Sequence, residues 1–182
     1  MLLRQTMKRL RRWVIDADIA RSSGTTEKPV SKSCRIFLDF IREQGYFIVM
    51  NTTLNEEWNK HQSIYAKKWL ASMYAKKKVL RHKDKNFDFE QKITSSGLSD
   101  LEKNIALKDV HLLNASRDYG KTIASGDDKA RSTYVALAVL YKEISDFLWV
   151  NPKNDLEILL EYMKNSKLAK AEWYLNKEIT KF

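Results

Sequence analysis

Residues 14 to 24, VIDADIARSSG, set two aspartates, Asp16 and Asp18, one residue apart at the end of an apolar run. Carboxylates brought close together repel, and each raises the other's pKa unless a cation or a set of donors compensates. Further acids stand in comparable places: Glu57 in TTLNEEW, Asp109 in KDVHLLNAS, and Asp127 with Asp128 in IASGDDKAR. A cluster of these would hold Mg²⁺ or Mn²⁺, hard cations that prefer oxygen ligands and keep several waters. Such an ion activates water, binds a phosphoryl oxygen and neutralises charge on a leaving oxygen, so the chemistry in view is at phosphorus. Singly, each acid has an ordinary explanation as a helix N-cap or a solvated charge. Their shared placement is the signal.

That placement follows from the elements around them. WVIDA, residues 13 to 17, reads as a short buried strand and RSSGTTEKP as a polar loop. A helix then runs through Cys34, Phe37, Leu38 and Ile41, capped by Ser31 or Ser33 and stopped by Gly45. YFIVMN, 46 to 51, is a second buried strand. From Thr53 to about Leu80 the pattern is helical with room for a break, and 82 to 98 reads as loop. LSDLEKNIALKDVHLLNASRDYG reads as two short helices divided near Lys108, so that Asp109 begins the second. KTIAS is a third strand, DKARSTYVALAVLYKEIS a helix, DFLWVNP a fourth strand, and 153 to 182 two helices split around KNSK. Strands separated by helices imply right-handed crossovers and a parallel sheet. The expected fold is α/β: a single domain with a central, mostly parallel, four- to five-stranded sheet flanked by helices, and a C-terminal helical extension. The expected divisions are a basic arm at 1 to 11, a domain at 12 to 152 and the extension at 153 to 182. In open parallel sheets ligands sit outside the carboxyl ends of the strands. Asp16 and Asp18 end the first strand, Glu57 lies early in the helix after the second, and Asp127 and Asp128 follow the third.

Length and composition fit this reading. A chain of 182 residues with 43% hydrophobic residues, five Gly and two Pro is long enough for one domain with a sizeable core, and excludes collagenous and wholly disordered classes. No apolar run is long enough to span a membrane. The lone Cys34 cannot form an intramolecular disulfide and falls on an apolar helix stripe, which suits a reduced, cytoplasmic setting. The net charge is +10, and residues 60 to 85 carry nine basic residues against Asp84 alone. Lys67, Lys68, Lys76, Lys77 and Lys78 in that stretch are candidates for contacts to the phosphates of RNA, and a solvated helix face is the alternative. Arg4, Lys8, Arg9 and Arg11 give the start of the chain the same sign.

The succession VIDADIA, TTLNEEW, KDVHLLNAS and IASGDD resembles the PIN domain family, over roughly residues 12 to 151. Its members are mostly metal-dependent ribonucleases and include VapC-type toxins of toxin–antitoxin pairs. The family's first acid, ending the first strand, is matched by Asp16. Its glutamate, which precedes an aromatic or aliphatic residue, is matched by Glu57 before Trp58 rather than by Glu56. Its third acid, opening a helix with a D-x-x-L-L-x-A look, is matched by Asp109. Its hydroxyl-x-Asp element is matched by Ser125 to Asp127. Where many relatives carry Asn this chain has Asp18, and where Thr is usual it has Ser125, and both keep an oxygen ligand or a hydroxyl. The resemblance implies an endoribonuclease in which Asp16, Asp109 and Asp127 hold Mg²⁺ or Mn²⁺ and Glu57 adds a ligand or orients water. Ser125 would position a carboxylate, with Asp18 and Asp128 in support. RNA is the implied substrate, and an antitoxin protein and a second copy of the chain are the partners open to it.

Two other classes compete. DAD after one strand and GDD after another also resemble the haloacid dehalogenase phosphatases, in which Asp16 would be the nucleophile and Asp18 the general acid. That pattern normally continues with Thr or Val, whereas Ile19, Ala20 and Arg21 follow here, and it gives Glu57 and Asp109 no role. A nuclease-inactive module binding RNA or protein through the basic helix is the third. His61, His82 and His111 lack metal-ligand spacing among themselves, and His111 reads as a residue beside the site rather than a base. Trp58 and Tyr65 fit either core or base stacking.

Overall fold

The computed structural model describes residues 11 to 83, 88 to 165 and 169 to 176. Residues 1 to 10 of the basic arm and the last residues of the chain lie outside them, as do Asp84 and Lys85. Five short strands, β1 (Arg12–Ile15), β2 (Phe47–Met50), β3 (Val79–Arg81), β4 (Thr122–Ala124) and β5 (Leu148–Val150), form one all-parallel sheet in the order β3-β2-β1-β4-β5. Among the described residues eight α-helices flank it: α1 (Ala17–Ser22), α2 (Pro29–Glu43), α3 (Thr52–His61), α4 (Ile64–Ala75), α5 (Phe89–Ser95), α6 (Asp100–Arg117), α7 (Asp128–Leu140) and α8 (Pro152–Asn165). This is the α/β architecture that the alternation of elements predicts.

The strands are apolar because both sheet faces are covered: Trp13, Val14, Ile15, Ile48, Val49, Ile123, Ala124, Trp149 and Val150 are all buried in one core. Short polar side chains turn strand ends into helix starts. Asp16 accepts from Asp18 N–H, Asn51 from Leu54 N–H and Asp127 from Ala130 N–H. Thus a cap and a site acid coincide at Asp16 and Asp127. Gly45 and Gly120, with φ of 68° and 115°, take the left-handed conformation that ends α2 and α6.

Several boundaries differ from the sequence reading. The helical stretch after Thr53 is broken at Gln62 and Ser63, and its end is strand β3 rather than helix. Lys77, at φ 55°, makes the turn between them. Residues 89 to 95 are helix α5, not loop, anchored by buried Phe89 and Ile93. The two helices expected around Lys108 are one, α6, started by a full capping box between Ser99 and Glu102 and containing no breaker. Helix α2 begins at Pro29, with neither Ser31 nor Ser33 as its cap. Of the two C-terminal helices, α8 is present, and a 3₁₀ turn at Ala171–Trp173 follows among the described residues. Helix α8 packs on α2 and contributes Leu159, Tyr162 and Met163 to the common core. No helix among the described residues is long and apolar enough to cross a membrane.

Candidate active site

The sheet order reverses at β1, which has β2 on one side and β4 on the other. Such a switch point opens a crevice at the carboxyl ends of the strands. A cleft of about 560 Å³ lies there, lined by Asp16, Asp18, Glu57, Asp109, Gly126, Asp127 and Asp128, and by the cationic side chains of Arg21, Lys108, Lys129 and Lys153 with His61. Four stretches distant in sequence thus present acids to one space. Asp109 reaches it from the middle of α6, not from a helix start, because α6 crosses behind β1 and β4.

Each acid has its own surroundings. Asp16 is 9% exposed and accepts a 2.6 Å hydrogen bond from Ser125 Oγ, which in turn accepts from Asp127 N–H at 3.1 Å. Burial, followed by the charge of Asp18, pushes the Asp16 carboxyl up to about 7, against the pull of Ser125, and Asp109 adds to the rise. Asp109 is 6% exposed, and burial raises it to about 6 despite Lys108, with Asp127 contributing. Asp127 is held at the N-terminus of α7 and Asp128 accepts from Asn151 Nδ2 at 3.3 Å. Asp18 is bound by Lys153 and by the Gly126 N–H.

Glu57 faces the cleft while its neighbour Glu56 is exposed. His111, buried beneath, places Nε2 3.1 Å from Glu57 Oε2, off the line of a well-directed hydrogen bond, and has Nδ1 3.1 Å from the Lys108 carbonyl oxygen. Burial opposes ionisation of both partners, yet their mutual attraction prevails: the Glu57 carboxyl is lowered and the His111 imidazole raised. Each ring nitrogen thus lies 3.1 Å from an oxygen. His111 is therefore the buried partner of Glu57, a role sequence spacing could not reveal. Lys153 and Arg21 likewise went unmarked in the sequence.

Other candidates fall elsewhere. Lys76, Lys77 and Lys78 immediately precede β3 and so stand at the amino edge of the parallel sheet, a strand length of roughly 10 Å from the carboxyl edge. Lys67 and Lys68 are exposed on α4 and do not line the cleft. Trp58 is core: its indole N–H donates to the Ile15 carbonyl at 2.8 Å. The Tyr65 hydroxyl donates to Asp39. Cys34 is buried, and burial holds its thiol up at about 11.

The donors at the cleft floor are carboxylate oxygens, the set that Mg²⁺ or Mn²⁺ accepts. Ionisation of Asp16 is resisted by burial and by the charges of Asp18 and Asp109, and that of Asp109 by burial and by the charges of Asp127 and Glu57, a strain that a cation would relieve. Among the described residues no three His, Cys, Asp or Glu side chains are already gathered into a metal cage. Compared with protein-family models, with curated proteins and with solved structures, the chain finds no match.

Proposed function

We propose that the chain is a PIN-type, Mg²⁺- or Mn²⁺-dependent endoribonuclease working in the cytoplasm. The observation that carries this reading is the opening of Asp16, Glu57, Asp109 and Asp127 onto one cleft at the switch point, rimmed by cations. A divalent ion held by Asp16, Asp109 and Asp127 would supply Lewis acidity toward a phosphoryl oxygen. The chain's own groups do the rest. Ser125 fixes the orientation of Asp16, and His111 fixes that of Glu57, which orients the attacking water. Lys108, whose Nζ lies 3.8 Å from Asp109 and 4.0 Å from Asp127, joins Arg21 and Lys129 in seating the RNA phosphates over the acids. Hydrolysis then bonds the water oxygen to phosphorus and releases the ribose oxygen, which takes up a proton.

The phosphatase reading needs Asp18 free to protonate a leaving group, whereas its carboxylate is taken up by Lys153 and Gly126, and that reading leaves Glu57 and Asp109 idle. The test is cleavage of single-stranded RNA and of a small phosphate ester by the purified chain with Mn²⁺, alongside Asp109→Asn, Asp127→Asn and Asp18→Asn. RNA cleavage abolished by the first two and by chelation is expected. Ester hydrolysis lost in Asp18→Asn and kept in Asp109→Asn would instead support the phosphatase. No turnover on either substrate, with RNA still bound, would leave the binding module.

A further inference from the structure

Asp18 differs from the other acids of the cleft in owning a cation. Lys153 Nζ, carried by the first turn of α8, stands 2.5 Å from Asp18 Oδ2, with the two side chains only 19% and 17% exposed. The Gly126 N–H approaches both carboxylate oxygens, at 3.3 and 3.2 Å. The pair has a built seat: a Cβ at position 126 would meet the Lys153 ammonium and stand 2.7 Å from Asp18 Oδ2 and 2.8 Å from Lys153 Cε. The pair as it stands thus fills the space that a side chain at position 126 would take. Glu57 faces the His111 imidazole, 3.1 Å away. Among the described residues, Asp109 and Asp127 have no cation closer than Lys108, which is 70% exposed and 3.8 to 4.0 Å away, and Asp16 is met by a neutral hydroxyl. Asp18 is thus the acid of the cleft that a largely buried lysine holds, whereas Asp16, Asp109, Asp127 and Asp128, the last met by the neutral Asn151 amide, have no such partner among the described residues.

We propose that Lys153 is a built-in counter-cation that closes Asp18 to metal, so that the cleft takes one divalent ion and not two. This rests on the metal-dependent reading above and deepens it. The carboxylates of Asp16, Asp109 and Asp127 suit one hard dication that keeps part of its water shell. A second ion taking Asp18 as a ligand would meet a carboxylate whose oxygens already accept from Lys153 and Gly126, and an ammonium that repels another cation placed beside it. Beside Asp18 this chain sets an amine fixed by the fold. Helix α8 is thereby part of the site and not an appendage to it.

The test counts ions instead of turnover. Mn²⁺ is titrated into the full chain by calorimetry, with free Mn²⁺ followed by electron paramagnetic resonance, for wild type, Lys153→Met, Lys153→Gln, Lys153→Arg and the double variant Lys153→Met with Asp18→Asn. One equivalent is expected for wild type, for Lys153→Arg, which keeps the charge, and for the double variant, which removes charge from both partners. Two equivalents are expected for Lys153→Met and for Lys153→Gln. The Gln variant keeps a hydrogen-bond donor for Asp18 and serves if the Met variant does not fold, as thermal melting will report. Two equivalents in wild type, or one in a folded Lys153→Met or Lys153→Gln, would overturn the role of Lys153 while leaving the metal reading intact. No bound Mn²⁺ in any variant would overturn the metal reading and this inference with it.

Discussion

Replacing Asp109 by Asn should stabilise the metal-free chain, and should do so more at alkaline than at acid pH. The Asp109 carboxyl titrates at 3.8 in its ordinary state and at about 6 in the fold, raised by burial and by Asp127 against the pull of Lys108. Between those values the folded state keeps a proton that the unfolded chain has released, so stability falls as pH rises through the window and stays lower above it. A difference of roughly 2 units at about 1.4 kcal/mol each gives a cost near 3 kcal/mol at about pH 8, and only ~1 kcal/mol at about pH 4.5. Asn keeps the shape, cannot ionise and removes that cost. Because Asp109 also raises Asp16, part of the gain comes from relief at that second carboxyl.

For a chain of this size each kcal/mol moves the melting temperature by about 2–4 °C, so Asp109→Asn should melt roughly 6–12 °C above wild type at about pH 8 and ~2–4 °C above it at about pH 4.5. Thermal unfolding followed by circular dichroism in chelator reads both. Adding Mn²⁺ at the alkaline pH should raise wild type and narrow the gap, since the ion stabilises only a fold that can bind it. An equal gain at the two pH values, or a loss at the alkaline one, would refute an electrostatic origin and with it the claim that Asp109 waits on a cation.

Ser125→Ala should push the Asp16 carboxyl still higher, because the hydroxyl is what lowers it, and should weaken Mn²⁺ binding by about 10–100-fold in calorimetry. Arg21→Gln with Lys129→Gln should weaken RNA binding and reduce the slope of log K against log salt by roughly 1.4, about 0.7 per lost phosphate contact on a single strand. Changing Lys76, Lys77 and Lys78 to Gln should alter that slope less, since they stand at the opposite sheet edge, and an equal effect in filter binding would place RNA along the whole α4 side. Trp58→Phe should cost about 1–3 kcal/mol in urea unfolding by orphaning the Ile15 carbonyl, with RNA affinity unchanged if Trp58 is core.

How far the sequence could lead depended on how local each signal was. The strand-to-helix junctions were readable at Asp16 and Asp127 because one side chain there ends an apolar run and caps the next helix, and the alternation of such units implies a parallel sheet. Strand β3 was not, because Val79, Leu80 and Arg81 follow three lysines and become strand only through pairing with Ile48, Val49 and Met50. Helix α5 offered a single buried pair, Phe89 and Ile93, too little for a period. At Lys108 the charged interruption suggested a break, but nothing in α6 removes a backbone hydrogen bond, so the helix continues and carries Asp109 to the cleft from its middle.

The pairing of charges was the least legible part, and it is the part that decides what the cleft can bind. Asp18 stands 135 residues from Lys153, and the two meet only because α8 packs on α2 and begins at the carboxyl edge just after β5. His111 lies two residues beyond Asp109 on the same helix, yet it serves Glu57, which comes from α3. A list of acids ordered along the chain treats Asp16, Asp18, Glu57, Asp109 and Asp127 as equivalent. Folding makes them unequal, since a carboxylate beside an internal cation attracts a further cation less, while Asp16 and Asp109, buried among other acids, resist ionisation until a cation arrives. The raised carboxyls of Asp16 and Asp109 and the satisfied ones of Asp18 and Glu57 are therefore two results of the same arrangement. Moving Lys153 or His111 should redistribute affinity among the acids before it alters the fold.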